Sequence, residues 1–492
     1  MLSIDPNAQL CHVCNGPVTV PSAPSPNDWL EVQACHWPTP KQAVFHKFED
    51  HQQLLLNLAH CFEAGQEAQG LSLLKLASCR YDLIQLPLAL LSQEVVEAVP
   101  PFQRIISWQG KAQSLQELEH IFEAMTAFPA RYYRLMLTPT CLKEALLPLQ
   151  LLQRIQRKDV VAYAEGPRFR WTQLLALWKG SPFLFAAHTS SRSQHYCFTQ
   201  LKNSFGWPDL PAINALYGVV GAELNQEIAV RLHNYGYRQG AIPALFLPFE
   251  VKDFQDFIYQ IAYAPTLENL GIPLKGFSIR SPFFRKASSG TQLRVSANVL
   301  MDKMANLWLK NETSWSADMT DLDSLRQLFS EAPFLVGDRK AAIWGADRKA
   351  QRMAVELQKR GAKVHFVVDN PQKAQTQIGH LGLPCLAAKD FAAPQFEIVV
   401  RVSEASENSN PIPFDPEQLP MGALVIDLHQ SPCTTALVAQ CHRNSIRVID
   451  GREVLAIETR EHYHRMVGKE LHPEVTRKLT TLHLAGTALP FE

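Results

Sequence analysis

The sequence carries no excess of either charge: Lys plus Arg and Asp plus Glu each number 47. That balance removes any net pull toward nucleic acid, an anionic membrane surface or a strongly charged partner, and leaves a small-molecule ligand or a protein as the expected partner. Long apolar runs are missing too. YDLIQLPLALL and AIPALFLPF stop well short of the roughly 20 residues a membrane span needs and are broken by proline. The start lacks the charged and apolar regions of a secretory signal, so the ten cysteines are expected as reduced thiols in a cytoplasmic protein. Cys11 and Cys14 have zinc-like spacing, but no second cysteine or histidine pair follows at a suitable distance. They are expected as strand residues in a core, and no metal is expected. No internal repeat or low-complexity tract occurs, which removes repeat architectures from consideration.

What is present is a chain of 492 residues, too long for one ordinary core. Over the first 200 or so residues, short apolar strands alternate with longer helical stretches, the pattern of parallel β/α units. The candidate strands are QLCHVC, LEVQACHW, YDLIQLP, RIISWQG, YYRLMLTP, DVVAYAEG and PFLFAAH. Between them lie helices such as SLQELEHIFEAMTAF, opened by Ser114 with Glu117 as a capping box. Seven or eight such units predict an α/β chain that begins with a degenerate (β/α)8 barrel. Residues 17–27, PVTVPSAPSPN, read as a loop where a unit has been lost. A proline-bearing connection at 205–214 marks a boundary. Beyond it LYGVVG opens a new strand, followed by a helix that stops at Gly240. From Lys340 the string KAAIWGADRKAQRMAVELQKRGAKVHFVVDN reads as strand, glycine turn, amphipathic helix and strand, half of a dinucleotide-binding fold. A long polar loop follows at 403–420.

Several strings stand in a telling order: YGVVGAELNQEIAVRLHN with its His233-Asn234 end, GFSIRSPF (276–283), SANVLM (296–301), ADMTDLDSL (317–325), VIDLHQSPCTTALV (425–438) and VIDGREVLAIETREHYHRMVG (448–468). Through them, and through the strand order before them, nearly the whole chain resembles the bifunctional type I 3-dehydroquinate dehydratase/shikimate dehydrogenase family. That resemblance implies a dehydratase-like barrel at 1–207, a substrate domain at 215–325 and a Rossmann-like domain at 326–455. A C-terminal helix at 456–492 would return to the substrate domain. It also implies a lyase and an NADP-dependent oxidoreductase of aromatic amino acid biosynthesis.

Aligned on that family, the reactive positions are replaced. Phe284 stands at the lysine that handles the proton with an acid matched by Asp321, while Lys286 lies two residues further on. Asn225, Glu227, Asn298 and Glu458 correspond to substrate-binding serines, an asparagine and a glutamine, which sets Glu227 and Glu458 against an incoming anion. The cofactor turn keeps Gly345 and Ala346 but carries Asp347 where phosphate should sit. Asp369 or Asn370 replaces a 2′-phosphate clamp, a change that favours NAD over NADP. In the barrel, Gln109 stands for the general acid/base histidine and Arg134 for the Schiff-base lysine. Gln85 replaces an acid, and Gln200 matches a substrate-loop glutamine. Arg134 also reads as a salt-bridge partner at a strand end, and Asp321 as a helix cap. Replacement at two chemically unrelated sites together leads to the expectation of a pseudoenzyme with a binding or scaffold role. The alternative left open is a shikimate/quinate-type dehydrogenase with altered substrate and cofactor preference, using Asp321 and possibly Lys286.

Overall fold

The computed structural model of the chain describes residues 1–5, 7–14, 28–33, 42, 44, 53–58, 67–187, 193–224, 228–290, 293–331, 336–402, 414–429 and 434–484. These form two compact units, residues 1–224 with 234–275 and residues 225–233 with 276–492.

The first unit is built on eight parallel strands, β1 (Gln9–Cys14), β2 (Trp29–Gln33), β3 (Gln53–Asn57), β4 (Leu83–Pro87), β5 (Arg104–Gly110), β6 (Tyr132–Leu137), β7 (Val160–Ala164) and β8 (Phe183–Ala187). Their order is β7-β6-β5-β4-β3-β2-β1-β8, a barrel that lacks only a β7–β8 ladder among the described residues. Seven of the strands fall on the segments read from sequence. The eighth, β3, is not legible in the sequence, because its run of leucines carries no alternation to separate strand from helix. All eight strands are therefore present, which corrects the expected loss of a strand-bearing unit; residues 17–27 lie outside the described ones.

Alternation along each strand sorts side chains inward and outward. Cys11, Leu55, Leu83, Val161 and Phe185 share the inner cluster, whereas Cys14, Leu30, Leu56 and Ile84 pack in an outer layer. Cys11 and Cys14 thus sit in separate cores. β9 (Ala215–Gly221) and β10 (Ala244–Glu250) complete this unit as a parallel pair.

In the second unit, β11 (Leu274–Ile279), β12 (Leu293–Val295), β13 (Leu307–Lys310) and β14 (Trp315–Asp318) pair with mixed polarity, β11 and β14 flanking β13 in antiparallel register. Then follow β15 (Lys340–Trp344), β16 (Lys363–Val368), β17 (Cys385–Ala387), β18 (Ile398–Arg401), β19 (Leu424–Asp427) and β20 (Arg447–Ile449), all parallel, in the order β17-β16-β15-β18-β19-β20. The order reverses between β15 and β18, where a doubly wound sheet opens its ligand crevice. Among the described residues no helix is long and apolar enough to cross a membrane.

Candidate functional site

Each unit holds a cluster of buried polar side chains among the described residues. In the barrel the period-2 alternation of β6 turns Arg134 inward. Its Nη1 donates to Glu31 Oε2 at 2.9 Å and Gln85 Oε1 at 2.8 Å, and its Nη2 donates to the Tyr163 hydroxyl at 2.8 Å. The guanidinium carbon lies 3.7 Å from the Phe185 ring centroid. Asn57 Nδ2 donates to the other Glu31 oxygen at 2.6 Å. Burial opposes the charge on Glu31, but Arg134 and the Asn57 amide outweigh it and hold the carboxyl below its ordinary value. Arg134 is therefore a salt-bridge partner, as one reading of the sequence has it, but within β6 and buried at 2 % exposure, not at a strand end.

Nearby, the His195 imidazole packs edge-on to Tyr163 and meets the Gln173 amide through Nδ1. Burial, reinforced by Arg134, pushes it down to about 4, so it stays neutral. Gln109 is exposed at the end of β5 and donates to Glu165 Oε2 at 2.8 Å. Gln200 Oε1 accepts from Cys197 N, capping its own short helix instead of presenting its carbonyl oxygen to a ligand. Glu31, Tyr163 and His195 were not singled out from sequence. For Glu31 the signal was inward parity on β2, across the barrel from Arg134's strand.

The second cluster gathers on β11, the β13 start, the N-terminus of the helix Asp321–Glu331 and the helix Gly451–Val467. Arg280 Nη1 donates to Glu458 Oε1 at 3.0 Å, and both residues are buried. Asn306 Nδ2 reaches Thr320 Oγ1 at 3.0 Å, Asp321 Oδ1 at 3.2 Å and Glu458 Oε1 at 3.4 Å. His462 links Ser278 Oγ to Thr320 Oγ1, 2.8 Å on either side, and burial beside Arg280 holds its imidazole well below the ordinary range. The Asp321 carboxyl is pushed up to about 6, first by burial, with Glu458 and Asp347 adding to it and Lys349 and Arg280 opposing.

Several expectations change here. Asp321 does not cap its helix through a backbone N–H; its carboxylate is bonded to Asn306. Glu458 is paired with Arg280, although its charge still raises the neighbouring Asp321 carboxyl. The asparagine beside Asp321 is Asn306. Asn298 instead lies in the helix Ala297–Asp302 and donates to Met319 O. Lys286 is exposed in the turn Lys286–Ser288, and the cations acting on Asp321 are Lys349 and Arg280. Asn225 and Glu227 lie outside the described residues.

At the nucleotide-type turn, Gly345 takes a φ of +117°, which favours glycine. Asp347 then caps the helix Arg348–Lys359, its Oδ1 accepting from Ala350 N at 2.8 Å. This carboxylate uses a donor that a phosphate would take. Asn370 likewise caps the helix Pro371–Ile378, while Asp369 is exposed after β16. At the switch point Trp344 pairs in register with Arg401, whose Nε donates to Asp427 Oδ1 at 2.8 Å within a buried ion pair. That end of the helix is thus partly satisfied from within the chain. Asp347→Ala is expected to lower stability by about 1 kcal/mol through loss of the cap, and Asp347→Asn to recover most of it, both read from denaturant midpoints.

Residues 60–221 match the family model of type I 3-dehydroquinase. Shikimate dehydrogenase of Sulfurisphaera tokodaii is 24 % identical over 265 residues, 53 % of this chain and 92 % of the relative. The Chlamydia pneumoniae shikimate biosynthesis protein AroDE is 22 % identical over 276 residues, 56 % of each chain. The solved dehydroquinate dehydratase and shikimate dehydrogenase from S. pombe AroM covers 96 % of this chain and 98 % of its own, at 12 % identity and a TM-score of 0.45.

Proposed function

We propose that this chain, which joins a type I 3-dehydroquinase segment to a shikimate dehydrogenase-like region, keeps the scaffold of the bifunctional family without either of its reactions and acts by binding. The observation that carries this reading is Arg134 at the barrel centre, paired with Glu31 and bonded to Gln85 and Tyr163. A guanidinium stays protonated, so it neither attacks a ketone nor releases water from an imine. The neutral, buried His195 and the exposed Gln109 supply no general acid/base with a suitable pKa.

The dehydrogenase-like cluster supports the same reading. Phe284 offers no proton, Arg280 and Glu458 satisfy one another, and Asp347 occupies the helix terminus meant for a phosphate. Several curated relatives are named as NADP(+) enzymes; here the exposed Asp369 suits a ribose hydroxyl better than a 2′-phosphate. A cytoplasmic setting goes with the reading. A second reading, an altered dehydrogenase working with NAD, draws on Asp321, whose carboxyl near 6 beside Asn306 is poised for proton transfer.

The test is turnover by the full chain of 3-dehydroquinate, and of shikimate with NADP and NAD, alongside calorimetric titration of each ligand. No turnover in any combination is expected. Shikimate oxidation that disappears with Asp321→Asn would replace this reading with the second.

A further inference from the structure

We infer that the barrel serves as the structural base of the lobe that follows it, residues 205–224 with 234–275, and that the two open to solvent as one body. The inference goes beyond the reading above and does not depend on it, because it concerns how the halves of the first unit are held and not what either turns over. The sequence sets a boundary at 205–214, yet the first compact unit runs through that connection and takes in β9 and β10. The connection is tied down along its length. Phe205 O accepts from Arg238 Nη1 at 2.8 Å, Pro211 O accepts from Trp178 Nε1 at 3.0 Å, and Ile213 exchanges two backbone hydrogen bonds of 2.8 Å with Leu2. The seam has an apolar centre. Trp171, on the barrel helix Arg170–Ala176, meets Phe249 of β10 edge-on at a centroid distance of 5.3 Å, and Phe257 backs Phe249 at 5.2 Å. All three rings are buried, so parting the halves would expose them to water.

At the rim each half completes the other's helix ends. The lobe helix Thr266–Asn269 runs into Leu270 and Gly271, and the residue four beyond Asn269 is Pro273, which has no N–H to give. The barrel supplies the missing donors. Gln153 Nε2, on the helix Leu147–Ile155, donates to Asn269 O at 2.8 Å, while Lys179 Nζ donates to Leu270 O and is steadied by Gln153 Oε1 at 2.8 Å. In return the lobe caps a barrel helix. Gln260 Oε1 accepts from Lys143 N, in the first turn of Leu142–Ala145, at 2.9 Å. An ion pair between Arg168 and Glu250, 3.5 Å apart, adds a further tie. Backbone groups on both sides would therefore lose their partners if the lobe left the barrel. Whatever chemistry the barrel performs or has lost, it retains this task.

The test is native-state hydrogen exchange of the full chain in rising, sub-denaturing urea. The amides of β10 and of β7 are expected to reach a common opening free energy with the same urea dependence, as one cooperative unit does. Lys179→Met should speed exchange at Leu270 and Gly271 in the lobe about tenfold, and Lys179→Arg, which keeps the charge and the donors, should restore most of the protection. Gln260→Leu, a change in the lobe, should speed exchange at Ala145 and Leu146 in the barrel about fivefold. Amides of β10 that open at a lower free energy and with a smaller urea dependence than those of β7 would overturn the inference, as would exchange across the seam that either substitution leaves unchanged. The comparison of β10 with β7 uses the native chain, so it decides the matter even where a variant fails to fold. Turnover does not enter any of these results, so the proposed loss of both reactions stands or falls on the enzyme assays alone.

Discussion

Arg134→Met is expected to destabilise the first unit by about 3–5 kcal/mol, although it keeps most of the side chain's volume. The substitution leaves the fully buried Glu31 carboxylate with only the neutral amides of Asn57 and Gln33 and removes the donor to Gln85 and Tyr163. The pH dependence should change sign with it. In the native chain Glu31 is held below its ordinary value of 4.5, so its contribution is complete above that value and is lost as the pH falls through the depressed one. In Arg134→Met burial acts unopposed and raises the Glu31 carboxyl, so stability relative to the native chain improves as the pH drops toward 5. Removing both charges in Glu31→Met with Arg134→Met should recover much of the loss. Urea unfolding near pH 7.5 and pH 5, followed by hydrogen exchange on β6, separates these cases. A single variant within about 1 kcal/mol of the native chain would show that the pair does not hold the barrel together.

That pair also marks where the sequence stops being legible in the barrel. The strands were readable because alternation and β-branched or aromatic residues identify them locally, and the replacement of Lys by Arg at 134 was visible by alignment. Its partner was not. Glu31 lies 103 residues away, and only closure of the sheet brings β2 across from β6. The inward layer of Glu31, Asn57, Gln85, Arg134 and Tyr163 follows from strand parity once eight strands are known. With β3 unread, Asn57 had no strand to stand on.

In the second unit the limit is different. Ala297-Asn298-Val299 and Ala305-Asn306-Leu307 are near-repeats eight positions apart. A local match cannot choose between them. The choice is made by β13, which starts at Leu307 and seats Asn306 against Thr320 N at 2.9 Å, whereas Asn298 turns into a short helix capped by Ser296. The Glu458 error has a related cause. Read alone, a glutamate in place of a glutamine adds a charge. Read with Arg280, 178 positions earlier, it is half of a buried ion pair. The Asp347 substitution was read as adding charge to a tight turn, and that remains so, but the carboxylate turns back onto its own helix and becomes a cap.

Arg401→Met is expected to destabilise the nucleotide-type sheet by about 3–5 kcal/mol, for the same reason as in the barrel but with a distinct functional consequence. Asp427 is fully buried at the end of β19. It accepts from Arg401 Nε, from Thr435 Oγ1 at 2.6 Å and from His429 N at 3.2 Å, so it fastens two central strands to the helix that Thr435 caps. Without Arg401 the carboxylate keeps two neutral donors and loses its countercharge. Asp427→Asn in the same background should recover part of the loss, because it removes the charge, keeps one carbonyl oxygen to accept from His429 N and lets its amide donate to the Thr435 hydroxyl. The pair lies in register with Trp344 at the switch point, so Arg401→Met also changes the charge beside the crevice. NAD binding is nevertheless expected to stay absent in calorimetric titration, because Asp347 still occupies the helix N-terminus. If NAD binds the folded Arg401→Met variant, exclusion of the dinucleotide belongs to the buried pair; if it binds only after Asp347→Gly, the cap alone accounts for it.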